Sequence, residues 1–106
     1  MRSISSVPDS HWPFVDPPNV AVLTSTDILH HDKPILFVSH DVDDGAWQFH
    51  TGKDLSIDKA TMVALARIVE LDSSVRELAD LPLGWIATRQ TLTVPWVRFL
   101  PTCLNL

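Results

Sequence analysis

Two short runs rich in strand-forming residues, 35–40 (ILFVSH) and 46–50 (AWQFH), flank Asp41-Val42-Asp43-Asp44-Gly45. Asp-Gly between two such runs is a strong short-range hairpin signal, because both residue types tolerate the backbone of a tight turn. The pattern therefore predicts a β-hairpin near the middle of the chain. The first run is almost continuously apolar, as in a strand buried on both faces in the interior of a sheet.

The remaining elements are arranged around this hairpin. Residues 19–24 (NVAVLT) read as a first strand. Thr24 or Ser25 can cap a short helical turn over 26–31, which Asp32-Lys33-Pro34 ends. Over 60–71 the apolar set Met62, Val63, Leu65, Ala66, Ile68, Val69 and Leu71 has the i, i+3 and i+4 spacing of a helix, with Ser56 or Asp58 as its cap. Local pattern leaves open a second reading, in which 62–65 is a short strand feeding a later helix. Residues 73–79 read as another short helix, capped by Ser73, with Val75, Leu78 and Ala79 inward. After the turn at Pro82 and Gly84, residues 84–90 and 94–100 read as two strands. Pro95 assigns the second to a sheet edge, since proline cannot donate to a ladder. The order predicts an α+β fold: a mostly antiparallel sheet of about five strands with two or three short helices on one face.

With 106 residues the chain has the length of one domain. Pro8, Pro13, Pro17 and Pro18 mark residues 1–18 as an irregular arm, leaving 19–106 as a single α+β domain. Trp12 and Phe14 are the arm's large side chains. They either pin it to the domain or touch a partner.

Thirteen acidic against eight basic residues give a net charge of −5, which argues against binding a phosphate backbone. One cysteine excludes an internal disulfide framework and a multi-cysteine zinc site. That cysteine begins Cys103-Leu104-Asn105-Leu106, which has the spacing of a prenylation signal. Asn105 is polar where the signal is aliphatic, and no basic run precedes it, so a free thiol is the expected reading. Neither a membrane-spanning run nor a secretory pattern is visible, and the expected location is the cytoplasm.

Candidate chemistry is sparse. Counted from Asp41, the acidic turn has glycine at the fifth and twelfth positions, whereas a calcium-binding EF-hand loop needs glycine sixth and glutamate twelfth. Turn formation is the expected role of the three aspartates, with a weak hard-cation site as the alternative. His30 and His31 diverge by about 100° if helical. His40 and His50 sit on opposite arms of the hairpin, two or three residues out of register, or about 7–10 Å along the strands. A shared zinc ion, whose ligand nitrogens lie about 2.0–2.1 Å away, is therefore not expected. No nucleophile elbow or phosphate-cradling glycine loop is present. The expectation is a protein without catalytic residues, metal or cofactor.

The tryptophans are more informative. Trp47, Trp85 and Trp96 fall on predicted strands, and the chain has no tyrosine. Some must fill the core. Any left on a surface becomes an interaction anchor, since tryptophan and arginine are enriched at binding hot spots. Arg89 and Arg98 follow two of them closely.

The stretch 34–98 resembles a family of short, largely uncharacterised bacterial proteins. The resemblance rests on His40-Asp41-Val42-Asp43-Asp44-Gly45-Ala46-Trp47-Gln48-Phe49-His50 with Gly52, on Ile68-Val69-Glu70-Leu71-Asp72-Ser73-Ser74-Val75, on Leu81-Pro82-Leu83-Gly84-Trp85, and on Arg89 and Trp96. It is also distantly similar to immunity proteins of polymorphic-toxin systems, which share a D-S-G-W-R-F-like hairpin and an L-D-P-S-like helix junction. Ser73 stands where proline is usual there, and Gln48 where a basic residue is common. The resemblance implies a binding protein and carries no catalytic residue.

The functional expectation is a non-enzymatic, immunity-type protein that binds a protein partner such as a toxin through Trp47, Asp43, Asp44, Trp85 and Arg89. The alternative is a small ligand-binding domain or enzyme with a pocket near His40 and His50. A homodimer through the strand around Trp96 is a third arrangement.

Overall fold

A computed structural model describes residues 12–52 and 57–101. Within them the chain forms β1 (Ala21–Ser25), α1 (Thr26–His30), β2 (Phe37–His40) and β3 (Trp47–His50). A 3₁₀ turn (Ile57–Lys59), β4 (Ala60–Ala64) and α2 (Leu65–Leu71) come next. A 3₁₀ segment (Ser73–Leu78), β5 (Ile86–Thr88) and β6 (Val97–Phe99) complete the order. The expectations for Ser56 and Cys103, and for the arm before residue 12, lie outside the described residues.

The strands make one sheet in the order β4-β1-β3-β2-β5-β6. The class is α+β as expected, and four of its five pairings are antiparallel. The hairpin forms with Phe37 opposite His50 and His40 opposite Trp47, and it occupies the middle of the sheet. β6 lies at one edge, where Pro95 assigned it. The exception to the antiparallel pattern joins β1 to β3 in parallel through Leu23 and Gln48. The buried Thr24 hydroxyl reinforces this short contact by donating to the Phe49 carbonyl at 2.8 Å.

Six strands form instead of five because the first half of the expected helix over 60–71 is a strand. β4 pairs antiparallel with the whole of β1, from Ala21 opposite Ala64 to Ser25 opposite Ala60. The helix starts only at Leu65, and its preceding residue, Ala64, provides no side-chain cap. Two of its first amides are satisfied from elsewhere: Leu65 N–H donates to the Val20 carbonyl at 2.8 Å and Ala66 N–H to the Pro18 carbonyl at 2.9 Å. Pro18 at the end of the arm and Val20 just before β1 therefore act where Asp58 was expected as the cap. Asp58 itself lies in the preceding 3₁₀ turn.

Other local signals act as read, with one shift. Ser25 ends β1 and caps α1, its hydroxyl accepting from Ile28 N–H. The segment after α2 is a 3₁₀ helix capped by Asp72 and not Ser73. The Asp72 carboxylate accepts from both the amide and the hydroxyl of Ser74, at 2.9 and 2.7 Å.

Strand alternation and register divide the sheet into two faces. Val22, Val38, His40, Trp47, Phe49, Ala87 and Arg89 share one face. Most of these are buried with Phe14, Ile28, Leu65, Ile68, Val75, Leu78 and Leu81, contributed by the arm, the helical elements and the loop before β5. Phe14 belongs to this core, its ring edge-on to Trp47 at 5.4 Å, and Trp12 packs on Phe14 at 5.5 Å. Both arm aromatics thus act as pins. The second face carries the rows His50-Phe37-Thr88-Val97 and Gln48-Ser39-Ile86-Phe99.

Candidate interaction surface

The hairpin bend is built by its own aspartates. Asp41 N–H donates to the Ala46 carbonyl at 2.7 Å, and Gly45 N–H donates back to the Asp41 carbonyl at 2.9 Å. Gly45 takes φ +75°, in the left-handed region that favours glycine. The Asp44 carboxylate accepts from Ala46 N–H at 3.0 Å. The Asp41 carboxylate accepts from Ser39 Oγ at 3.1 Å and from Gln48 Nε2 at 2.6 Å. Asp43 and Asp44 remain exposed at the tip.

A second loop is held against this bend. His40 N–H donates to the Trp85 carbonyl at 3.1 Å, and Gly84 N–H donates to the His40 carbonyl at 2.6 Å. A methyl group on Gly84 would lie 3.7 Å from Val42 Cβ and 3.9 Å from Leu100 Cδ1, and one on Gly45 would lie 4.0 Å from Leu83 Cδ2. Val42, Leu83 and Leu100 therefore gather around the two glycines, and all three are exposed. A cleft of about 320 Å³ runs between the bend and the Trp85 loop, lined among others by Ser39, Asp43, Asp44, Trp85 and Pro101. The result is an apolar cluster beside an acidic tip.

The expected site residues separate into two groups. Asp43, Asp44 and the half-buried Trp85 belong to this surface. Trp47 does not: it is 2% exposed, under His40 and Phe14, with its indole N–H donating to Asp16 Oδ1 at 3.3 Å. It faces the helix-covered side because it pairs with His40 on that face. Arg89 is 7% exposed and lies at the end of β5 away from the bend. Its guanidinium donates twice to the Ile35 carbonyl and once to Ser74 Oγ, and it pairs with Asp72 and stacks on Trp96 at 4.1 Å. Both residues hold the fold beneath the surface. Val42, Leu83 and Leu100 were missed. Their signal was weak: a valine between turn aspartates, and leucines beside a turn and beside a proline.

His40 and His50 do not share a pocket. With Phe37 opposite His50 and His40 opposite Trp47, the two rings project from opposite faces of the sheet. His40 stacks on Trp47, and its Nδ1 bonds the Leu81 carbonyl at 2.7 Å. His50 is buried on the second face, its Nε2 2.9 Å from Gln48 Oε1. Gln48 donates its amide to Asp41, so its oxygen accepts from His50 and assigns the Nε2–H tautomer. Nδ1 then faces no hydrogen-bond partner among the described residues. Burial pushes the His50 pKa below the usual imidazole range, against a smaller opposing pull from the Asp41 charge.

Among the described residues, no three or more His, Cys, Asp or Glu side chains gather where they could hold a metal ion. No helix among them is long and apolar enough to cross a membrane. No known family model, curated protein or solved structure matches the chain.

Proposed function

We propose that the chain is a non-enzymatic binding protein that engages a basic protein partner through the hairpin bend and the Trp85 loop. The observation that carries this reading is the contiguity of exposed Asp43 and Asp44 with exposed Val42, Leu83 and Leu100. Apolar residues supply contact area that a partner can desolvate, and the carboxylates beside them steer a basic surface and reject an acidic one. The net charge of −5 has the same sign as the tip, so long-range attraction and local contact favour the same class of partner.

The immunity-type role implied by the family resemblance is the specific form of this proposal. On that reading the partner is a toxin, met in the cytoplasm, and blocking it requires no chemistry from this chain. The test is co-expression with the product of the neighbouring gene, followed by purification of the complex. A stable complex, rescue of growth, and loss of both in an Asp43→Lys, Asp44→Lys double variant are expected. A complex and rescue unaffected by that double reversal would remove the bend as the binding site. Absence of both with the unaltered chain would remove the immunity role.

A further inference from the structure

We infer that the outer edge of β6, unpaired among the described residues, receives an extended strand of the partner protein, running antiparallel to β6, with basic residues at its N-terminal end and a large apolar residue at its C-terminal end. This deepens the protein-binding reading and rests on it.

The first support is backbone direction. His40 N–H bonds the Trp85 carbonyl and Arg89 N–H bonds the Leu36 carbonyl across the β2–β5 pair. Hydrogen-bonded pairs alternate along an antiparallel ladder, so Val38 and Ala87 also bond each other, and Ile86 and Thr88 turn their amides and carbonyls toward β6. Their partners Phe99 and Val97 are consumed in that ladder. Arg98, between them, therefore directs its N–H and C=O outward. Among the described residues no strand pairs with that side of β6. An unpaired strand edge is a template for strand addition.

The second support is what flanks the edge. Val97 and Phe99, 60% and 40% exposed, present their side chains on the second face of the sheet. β6 runs toward the acidic bend, since it is antiparallel to β5 and β5 is antiparallel to β2. At its other end a shallow groove of about 730 Å³ is lined by Phe37, Thr88, Val94, Pro95 and Val97 among others. An antiparallel strand would set its N-terminal end at the end of β6 where Pro101 lines the cleft with Asp43 and Asp44, its alternate residues against Phe99 and Val97, and its C-terminal end over the groove. Basic residues suit the first position, and apolar ones suit the others.

A second copy of this chain fits the edge less well. Twofold antiparallel pairing centred on Arg98, which gives β6 its fullest overlap, sets the two Arg98 side chains directly opposite each other, and like charges in that position are destabilising. Arg98 already has partners on its own chain, Asp80 and the Glu77 carbonyl.

The test uses the whole chain and two synthetic peptides, Lys-Lys-Val-Thr-Val-Thr-Phe and its counterpart with two glutamates in place of the lysines. The lysine peptide is expected to bind, to slow hydrogen exchange of the Arg98 amide, and to bind at least about tenfold tighter than the glutamate peptide. Arg98→Pro removes the outward donor without removing a β5–β6 hydrogen bond, and should weaken binding by at least about tenfold. Arg98→Ala keeps that amide and should bind within about threefold of the original. The exchange measurement on the unaltered chain requires no variant to fold. Unchanged protection at Arg98, equal binding of the two peptides, or no binding of either would overturn the inference. A dimer in sedimentation that Arg98→Pro converts to monomer would assign the edge to a second copy instead, and would also overturn it. If the natural partner still binds the Arg98→Pro chain but not the Asp43→Lys, Asp44→Lys chain, strand addition fails while the protein-binding reading stands.

Discussion

The imidazole of His40 lies flat on the indole of Trp47, with ring centroids 3.9 Å apart and planes 12° apart. The pair closes the hairpin on its helix-covered face, directly below the bend that carries Asp43 and Asp44. His40 is fixed in turn by the Leu81 carbonyl, and its backbone holds the Trp85 loop. Trp47 thus supports the surface of the bend from beneath without being part of it. Trp47→Ala should cost about 3–5 kcal/mol of stability, the usual range for truncating a buried aromatic. Urea unfolding followed by circular dichroism measures this, and a loss below about 1 kcal/mol would contradict the packing described.

Arg89 ties three separate stretches together: the loop before β2 through Ile35, the 3₁₀ segment through Asp72 and Ser74, and the approach to β6 through Trp96. Its removal leaves the Asp72 carboxylate without its buried partner and the Ile35 carbonyl without its donors. Arg89→Ala should therefore destabilise by about 3–5 kcal/mol. Arg89→Lys keeps the charge but not the planar fork, and should fall between the two in chemical denaturation. Equal stability of the lysine variant and the original would show that the fork geometry contributes nothing.

What the sequence made legible was decided by neighbours along the chain. The hairpin, the Ser25 cap and the edge position of β6 follow from Asp-Gly, from a serine before a short amphipathic turn, and from Pro95, each a local preference. β4 was not decided this way. Its residues fit a helical period, and only the open edge of β1, with the carbonyls of Pro18 and Val20 waiting for Leu65 and Ala66, selects strand first and helix second. The site shows the same division. Asp43 and Asp44 had to be exposed because they sit at a turn. For Trp47 and Arg89, exposure depended on which face of the sheet received the helices, and that is fixed by register with residues distant in sequence.

The bend itself offers a sharper test of local geometry. Gly45 and Gly84 both have positive φ, +75° and +85°, and a Cβ at either would meet no atom closer than 3.7 Å. Space is therefore not the obstacle; the backbone conformation is. Gly45→Ala and Gly84→Ala should each cost about 1–2 kcal/mol, the strain of a left-handed residue that carries a Cβ. Thermal unfolding of the two single variants checks this, and unchanged midpoints would mean that the turns relax freely to another type.

Acid should weaken the fold through His50. Its Nε2–H is committed to Gln48, and a proton added at Nδ1 would be buried with no acceptor among the described residues. Burial accordingly holds its pKa below the ordinary imidazole value of about 6.5. In the unfolded chain the ring takes up its proton near that ordinary value, while the folded chain resists. Between the two values the unfolded state binds more protons, so stability rises with pH across this window and falls as the pH drops through it. Above about 6.5 both states are neutral and the dependence on this residue ends. Urea midpoints should therefore decline as the pH is lowered from about 7.5 to about 5, and the decline should flatten in His50→Gln, which cannot take up the proton. A variant that is less stable overall but keeps the same pH slope would show that the proton is taken up elsewhere.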